Sequence, residues 1–268
     1  MKKNKELLHD FWNDAACGEE ALLKSKDQKG FMDQSLKRYE LEPYILNFAD
    51  FNSYKNKSVL EIGVGMGSDH YFYAKAGAKL TGIDLTPRAI ELTKSRFQEF
   101  NLSSALSVDD AENLQFENNS FDLVYSWGVI HHSPNTEKSV SEIHRVLRDD
   151  GIAKVMIYNY WSLVGLMLWV RYALLAFRPF RSLTYIYSNF LESPGTKAYT
   201  RKQARKLFKD FKSVSINVEL THGDLLSSYA GQRHEGKLLN FARRIWPRWL
   251  LKKIFPGMGL FLLIEARK

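Results

Sequence analysis

The chain has 268 residues, 45% of them hydrophobic, and a formal net charge of +8. This length and composition suffice for one sizeable core with room for insertions. The single cysteine, Cys17, excludes an internal disulfide framework, and no long apolar segment follows the Lys-rich residues 1–14. We therefore expect a cytoplasmic protein without a signal peptide.

The charge is divided unevenly along the sequence. Residues 1–170 carry 19 basic and 24 acidic side chains, a net charge of −5, whereas residues 171–268 carry 19 basic and 6 acidic ones, a net charge of +13. A basic C-terminal third indicates either an anionic partner, such as an acidic small molecule or a membrane surface, or a solvated basic face.

Strand and helix patterns alternate along most of the chain. Residues 1–52 are expected to form an N-terminal helical arm or cap, with a helix over 31–51, and residues 53–268 one α/β domain. Helix starts are marked at Ser68, Thr86-Pro87, Pro134-Asn135 and Thr200. Apolar segments predict strands at 57–62, 79–84, 105–108, 121–127, 152–158, 213–220 and 259–265. Five alternations up to residue 158 predict a doubly wound parallel sheet.

Two segments interrupt this alternation. Residues 160–190 begin with an almost wholly apolar stretch that contains Arg171. An arginine at mid-segment costs about 2.5–3.5 kcal/mol on insertion scales, which favours a lid or membrane-resting helix over a membrane span. Residues 222–256 contain a Trp/Leu-rich stretch with one apolar and one basic side, whose helix Pro247 should kink or split.

Residues 59–69, VLEIGVGMGSD, combine a short apolar strand, three glycines at a spacing of two, and a helix start. Glycine lets the backbone turn tightly and approach a ligand without a clash from Cβ. The free N–H groups of the following helix face the same ligand. Such a turn after the first parallel strand is typical of nucleotide-like cofactor sites.

The chain resembles the class I S-adenosylmethionine-dependent methyltransferases, specifically the broad small-molecule (type 11-like) group. The resemblance is carried, in the family's order and spacing, by VLEIGVGMGSD (59–69), LTGIDLTP (80–87), DDAENLQF (109–116), FDLVYSWGVIHHSPN (121–135) and EIHRVLRDDG (142–151). It implies an α/β, seven-stranded Rossmann-like methyltransferase sheet over 53–268, mostly parallel with the last strand antiparallel. It also implies helical insertions after strands 5 and 6, and S-adenosyl-L-methionine as the cofactor.

The resemblance places a cofactor site along these motifs. The glycines would let the backbone approach the methionine part, Glu61 would hold the turn and face the ammonium group, and Asp84 would accept the ribose hydroxyls. An arginine before the first strand could bind the cofactor's carboxylate bidentately, or simply lie on a helix surface. The residues expected at the cofactor are Arg38, Glu61, Gly63, Val64, Gly65, Gly67, Asp84, Leu85, Asp110, Ala111, Ser126 and Trp127.

His131 and His132 follow the fourth strand, at the expected mouth of the site. Histidine suits a general base because its ordinary pKa is near neutral. The alternative is that one of the pair shapes the cofactor pocket and neither accepts a proton. His70, His144, His222 and His234 are expected on the surface or in structural positions, Asp109 and Glu112 as solvated loop acids. No metal site is predicted, because no His/Cys/Asp cluster has metal-ligand spacing.

Competing functions are distinguished by single positions. A dinucleotide-binding dehydrogenase needs glycine at the sixth position of G-x-G-x-x-G, where this chain has Ser68. Ser126-Trp127-Gly128-Val129 replaces the Asn/Asp-Pro-Pro-aromatic motif of nucleobase and glutamine methyltransferases. An RNA methyltransferase is disfavoured because the C-terminal aromatics lie in apolar runs. A cofactor-binding scaffold without turnover remains the alternative from another class.

The methyl acceptor is expected to be a small molecule, lipophilic or anionic, bound between the two insertions. Both insertions combine Trp, Leu, Phe and Arg, which suits a hydrophobic, basic-rimmed lid at an anionic membrane surface. Packing of these helices on each other or on a second subunit explains the composition equally well. A nucleic-acid partner is disfavoured, and the sequence does not determine the oligomeric state.

Overall fold

The computed structural model describes residues 2–228 and 237–268. Helices surround one central sheet, and the helix starts at Ser68, Thr86-Pro87 and Thr200 are confirmed. The α-helices are α1 (Lys2–Asp14), α2 (Glu19–Leu22), α3 (Gln28–Leu41), α4 (Tyr44–Ala49), α5 (Ser68–Lys75), α6 (Pro87–Glu99), α7 (Thr136–Val146), α8 (Leu163–Trp169), α9 (Leu183–Ile186), α10 (Arg201–Leu207), α11 (Lys237–Ile245) and α12 (Arg248–Ile254).

The central sheet has seven strands in the order β3-β2-β1-β4-β5-β7-β6. All pairs are parallel except those of β7, which is antiparallel to β5 and β6. The strands are β1 (Ser58–Ile62), β2 (Lys79–Asp84), β3 (Ala105–Val108), β4 (Phe121–Trp127), β5 (Leu147–Tyr158), β6 (Ser213–Glu219) and β7 (Phe261–Arg267). This confirms the Rossmann-like sheet with its last strand antiparallel. The strand order reverses between β1 and β4, where such sheets bind ligands.

Side chains that alternate along the strands form two hydrophobic cores, one on each face of the sheet. Leu60 and Ile62 of β1 pack on one face with Ile143 of α7, whereas Val59 packs on the other with Ile45 of α4. Successive side chains of a strand point to opposite faces, so a parallel strand covered on both sides is apolar throughout. The sheet is therefore a rigid base for the loops at its carboxyl edge.

Strand β5 begins earlier than the predicted residue 152. Leu147 is fully buried and pairs with Phe121 across a bulge, while the side chains of Arg148 to Asp150 are exposed. Three polar residues hid the apolar start of the strand from the sequence pattern.

The N-terminal arm differs from the expected one. The helix predicted over 31–51 is divided into α3 and α4 at Pro43, because proline has no N–H to donate and disfavours helical geometry at Glu42, which has φ −130° and ψ 59°. Residues 1–30 contain the 13-residue helix α1, which packs on α6 and buries Leu8. Helix α1 therefore reaches the loops at the sheet's carboxyl edge, where Lys5 contacts Asp110 and Trp12 contacts His132.

The two insertions follow β5 and β6, as expected. The first folds as a helical hairpin, in which α8 and α9 each continue into a π-helical turn, Val170–Leu174 and Tyr187–Leu191. Tyr172 stacks on Phe190 with ring centroids 4.2 Å apart. In the second insertion, α11 and α12 are separated at Pro247, which confirms the predicted split. In residues 2–228 and 237–268, no helix has the length and apolar character needed to cross a membrane.

Candidate active site

The glycine turn links β1 to α5. All three glycines have positive φ values, +83° at Gly63, +54° at Gly65 and +73° at Gly67. A Cβ at Gly63 would lie 2.1 Å from Val129 Cγ2, so this glycine is required for packing. A Cβ at Gly65 would meet no atom within 4 Å. The backbone at Gly65 therefore faces open space, which suits a cofactor held against the turn.

Asp84 ends β2 beside this turn. Its Oδ2 accepts a hydrogen bond from the Gly65 N–H at 3.1 Å, and its Oδ1 accepts from the Thr86 N–H and hydroxyl at 3.0 and 2.9 Å. A carboxylate offers about four acceptor positions. These three hydrogen bonds leave one position on Oδ2, and the contact of Asp84 with a ribose remains a prediction. Burial raises the pKa of Asp84, although these hydrogen bonds oppose the shift.

The loop after β3 carries Asp110 and Ala111. Lys5 of α1 reaches this loop and places its ammonium group 2.5 Å from Asp110 Oδ2 and 2.6 Å from Glu112 Oε2. Glu112 is 2% exposed and accepts from the Asn135 N–H at 2.7 Å, so its prediction as a solvated acid is wrong. It is buried because it joins this loop to the start of α7.

Glu61 lies under the glycine turn and is buried. Its Oε2 lies 2.9 Å from Nδ1 of His70, whose Nε2 lies 2.8 Å from the Ser104 hydroxyl. Burial raises the pKa of Glu61 well above its usual range and lowers the pKa of His70 to about 3. The imidazole is therefore neutral, and the pair fixes the end of β1 against α5.

Arg38 has a protein partner in this structure. Its two terminal nitrogens donate to the two carboxylate oxygens of Asp69 at 3.0 and 2.9 Å. Asp69 also accepts from the hydroxyls of Tyr39 and Tyr125 at 2.7 and 2.9 Å. The guanidinium group is thus held in place behind α5, and its contact with a cofactor carboxylate remains a prediction.

The other predicted cofactor residues line the same edge of the sheet. Trp127 ends β4 and stacks on Tyr44 with ring centroids 6.0 Å apart. Ser126 is fully buried, and its hydroxyl has no hydrogen-bond partner in the described residues. Two predicted side chains, Val64 and Ala111, are buried, whereas Leu85 is half-buried at the end of β2.

His131 and His132 lie after β4, below the helical hairpin. Both ring nitrogens of the fully buried His131 lack a hydrogen-bond partner in the described residues. Burial lowers its pKa well below the usual range. His132 Nδ1 lies 2.8 Å from the Ser193 hydroxyl and 3.1 Å from that of Thr196. The two rings therefore differ, since only His132 has an orienting network.

Glu192 approaches the same pair from the end of the hairpin. Its Oε2 lies 3.3 Å from His132 Nε2 and accepts from the Tyr158 hydroxyl at 2.6 Å. Burial raises the pKa of this carboxyl, but His132 and Tyr158 together hold it below its usual value. The carboxylate is therefore ionised beside the histidine pair.

Three residues near the site were missed by the sequence interpretation. Glu192 precedes the turn residues Ser193-Pro194-Gly195, a signal that the chain turns back toward the sheet. The Trp12 ring packs on His132 at 5.5 Å, and only the aromatic pair Phe11-Trp12 in a polar arm indicated it. The buried Arg96 donates to Met66 O at 2.7 Å and to Gln34 Oε1 at 2.5 Å, tying the glycine turn to α3.

Comparison with known proteins finds similarity to methyltransferases. Residues 60–155 match the family model described as "Methyltransferase domain". Phosphoethanolamine N-methyltransferase 2 of Caenorhabditis elegans is 37% identical over 133 residues, which are 49% of this chain and 28% of that protein. Sterol 4-C-methyltransferase strm-1 of the same organism is 32% identical over 107 residues, 39% of this chain and 31% of that protein. The chain thus spans about a third of the length of these curated relatives.

A solved structure shares the fold of this chain. Phosphoethanolamine N-methyltransferase 2 of Haemonchus contortus superposes with a TM-score of 0.59 and 17% identity, covering 99% of this chain and 60% of that one. The sheet order and the glycine turn after β1 are those of a Rossmann-like domain. More narrowly, the match over residues 60–155 and these relatives make the chain similar to the S-adenosylmethionine-dependent methyltransferases of the type 11 group. The cofactor of that family is S-adenosyl-L-methionine.

Proposed function

We propose that the protein transfers a methyl group from S-adenosylmethionine to a small-molecule acceptor, releasing S-adenosylhomocysteine. The observation that carries this proposal is the open backbone at Gly65 beside Asp84, at the strand-order reversal of the sheet. Glycine with positive φ and free space in front of it is the cradle that a bulky cofactor needs.

Different residues bind different parts of the cofactor. Gly63, Gly65 and Gly67 present backbone to its methionine part, Asp84 holds the ribose, and the loop at Asp110 meets the adenine. Lys5 lies on that loop, so its ammonium group has to share or release Asp110 when adenine binds. Glu61 and Arg38 support the turn from behind through His70 and Asp69.

The chemical step requires alignment more than activation. The bound cofactor supplies a methyl group already activated by its sulfonium, so transfer is an in-line displacement by the acceptor. An O–H or N–H acceptor must also lose a proton, and His131 and His132 are the candidate bases at the mouth of the site. We favour His132, because Ser193 and Thr196 orient its ring and the carboxylate of Glu192 would stabilise its charged form.

Incubation with methyl-labelled cofactor tests the activity. Extract fractions are mixed with the protein, and the labelled product is separated and identified. We expect label in a small-molecule fraction, with Asp84→Asn reducing incorporation and the exposed Asp150→Asn leaving it unchanged. Label confined to RNA would support the RNA alternative. Cofactor binding without transfer to any fraction would support the scaffold alternative.

We also propose peripheral contact with an anionic membrane. Phe177 and Phe180, at the tip of the helical hairpin, are 93% and 100% exposed, and Trp249 of α12 is 72% exposed. Arg178 follows Phe177 in the sequence, and Lys253 Nζ lies 5.4 Å from the centroid of the Trp249 ring, within a segment of net charge +13. Exposed aromatic side chains beside basic ones are the composition of interfacial segments.

Liposome flotation tests this contact. At low salt we expect binding to vesicles rich in phosphatidylserine and none to neutral phosphatidylcholine vesicles. Phe177→Ser/Phe180→Ser should weaken flotation. Leu36→Ser is the matched control, because Leu36 is 63% exposed on α3, in the acidic part of the chain. Absence of binding to anionic vesicles would refute the membrane proposal without affecting methyl transfer.

A further inference from the structure

His131, His132 and Glu192 form a compact cluster of potential ligands. One ligand atom of each residue lies within 4.8 Å of the others. His131 and His132 follow β4, whereas Glu192 is some 60 residues later, at the end of the hairpin. The fold therefore creates a ligand set that the linear spacing did not reveal. From this cluster we propose that the protein binds a divalent transition-metal ion beside the methyl-transfer cleft.

The unpartnered imidazole of His131 is the second observation. The side chain is fully buried, yet neither ring nitrogen has a hydrogen-bond partner in the described residues. Buried polar atoms are nearly always satisfied, and an exception commonly marks a water or ion. His132 Nε2 likewise lacks an aligned hydrogen bond, although Glu192 Oε2 lies 3.3 Å away. Two nitrogen lone pairs and a carboxylate oxygen thus converge.

The surroundings support the ligand atoms. His132 is held through Nδ1 by the Ser193 and Thr196 hydroxyls, which leaves Nε2 as its ligand atom. Such outer hydrogen bonds fix the ring of a metal-binding histidine. Tyr158 holds Glu192 in the same way, by a 2.6 Å hydrogen bond to Oε2. The cluster therefore has both ligands and the contacts that orient them.

The donor set indicates the kind of ion. Two imidazoles and one carboxylate suit Zn²⁺, Co²⁺, Ni²⁺ or Fe²⁺ better than Mg²⁺ or Ca²⁺, which prefer oxygen ligands. Tetrahedral ligand atoms at about 2.1 Å from zinc are about 3.4 Å apart, so the widest pair must close by roughly 1.4 Å. His132 Nε2 and Glu192 Oε2 are already 3.3 Å apart, so this movement has to bring the His131 nitrogen closer to them.

The site deepens the proposed function without depending on cofactor binding. An ion here would face the acceptor and could lower the pKa of its hydroxyl or amine. The base role proposed for His132 and its role as a ligand exclude each other, because one lone pair cannot serve both. Metal binding and S-adenosylhomocysteine binding are therefore measured separately on the same protein.

Titration of chelator-treated, tag-free protein with Zn²⁺ tests the proposal by calorimetry, with Co²⁺ absorption as the spectroscopic readout. We expect one ion per chain and tetrahedral d–d bands with Co²⁺. Glu192→Gln and His132→Ala should each weaken binding at least tenfold, and Ser193→Ala about tenfold through the outer contact. His222→Ala is the control, because His222 is bonded to Ser228 outside the cluster.

S-adenosylhomocysteine binding reports whether each variant is folded. If Glu192→Gln and His132→Ala both bind S-adenosylhomocysteine and also bind Zn²⁺ with the affinity of the unsubstituted protein, the metal-site proposal is wrong. Wild-type protein that takes up no Zn²⁺ or Co²⁺ also refutes it, and His132 then keeps the base role. If the wild-type protein does not bind S-adenosylhomocysteine, that result instead contradicts the proposed function.

Discussion

At the scale of single residues, two glycines allow the effect of blocking the proposed cofactor site to be distinguished from the effect of backbone strain. Gly65 and Gly195 both have positive φ, +54° and +81°, and a Cβ at either would meet no atom within 4 Å. Alanine at a left-handed position costs about 1–2 kcal/mol. Gly65→Ala and Gly195→Ala should therefore lower stability to a similar, modest extent, but only Gly65→Ala fills the proposed cofactor cradle.

The measurement is calorimetric titration with S-adenosylhomocysteine, combined with urea unfolding. We predict that Gly65→Ala weakens binding at least tenfold, while Gly195→Ala binds within twofold of the unsubstituted protein. Equal affinities for the two variants would show that the cofactor does not lie against Gly65.

Glu42 gives a pH-dependent prediction. Burial, with Asp69 and Glu192 nearby, raises the pKa of its carboxyl from 4.5 to about 7, although Arg38 opposes the shift. Because the raised pKa belongs to the folded state, that state binds more protons than the unfolded chain between pH 4.5 and 7. The contribution of Glu42 to stability is therefore present below pH 4.5 and is lost as the pH rises through 7.

Glu42→Gln removes this loss. Relative to the unsubstituted protein, its free energy of unfolding should increase by about 2–3 kcal/mol between pH 5 and pH 8. Urea unfolding at both pH values measures the difference, and Glu40→Gln, an exposed residue on α3, is the control. If the difference in free energy of unfolding between Glu42→Gln and the unsubstituted protein is the same at pH 5 and pH 8, the pKa of Glu42 is not raised.

At the scale of elements, Asp224 connects the two insertions to the sheet. Its buried carboxylate accepts hydrogen bonds from the backbone N–H groups of Val164 at 3.1 Å, Thr221 at 2.9 Å and Leu260 at 2.8 Å. These groups belong to α8, to the turn that follows β6 and to the residue that precedes β7. One side chain therefore fixes where both insertions leave the sheet.

Asp224→Asn replaces one acceptor oxygen with an NH₂ group that faces N–H donors. We expect it to lower the free energy of unfolding by about 2–4 kcal/mol, measured by urea unfolding. Asp150→Asn, whose carboxylate is exposed and 3.3 Å from Lys212, should change it by less than about 0.5 kcal/mol. A loss at Asp224 no larger than that at Asp150 would contradict this connecting role.

The elements that the sequence predicted best are those with local signals. Thr86 before Pro87 started α6, and apolar runs marked β1, β2 and β4 within a residue of their bounds. Pro43 is itself a local signal for the break between α3 and α4, but the apolar spacing that continues past it favoured the prediction of one helix. Strand β7 was placed two residues early because its apolar run begins before the pairing does.

Contacts between distant segments had no such signal. The pairing of Arg38 with Asp69 and the burial of Glu112 depend on how α3, α5 and α7 meet the sheet. Glu192 reaches His132 only because the hairpin folds back over β4. The sequence motifs therefore predict the cofactor loops, whereas the contacts of Glu192 with His132 required the three-dimensional structure.

At the scale of the whole molecule, charge and function divide along the chain. The proposed cofactor loops lie in residues 1–170, of net charge −5, and the exposed aromatic side chains proposed to meet the membrane lie in residues 171–268, of net charge +13. The membrane attraction of these segments should weaken with salt, because the Debye length falls to about 3 Å at 1 M. We predict that flotation with anionic vesicles is lost at high salt, while S-adenosylhomocysteine binding is retained.

Calorimetric titration of the full chain with S-adenosylhomocysteine tests the central claim most directly. We predict one site per chain, with affinity reduced about 10–100-fold in Asp84→Asn, because hydrogen bonds to a charged group contribute about 1.5–3 kcal/mol. No heat of binding and no thermal shift at millimolar ligand would contradict the account, as would equal affinity in Asp84→Asn and the control Asp150→Asn.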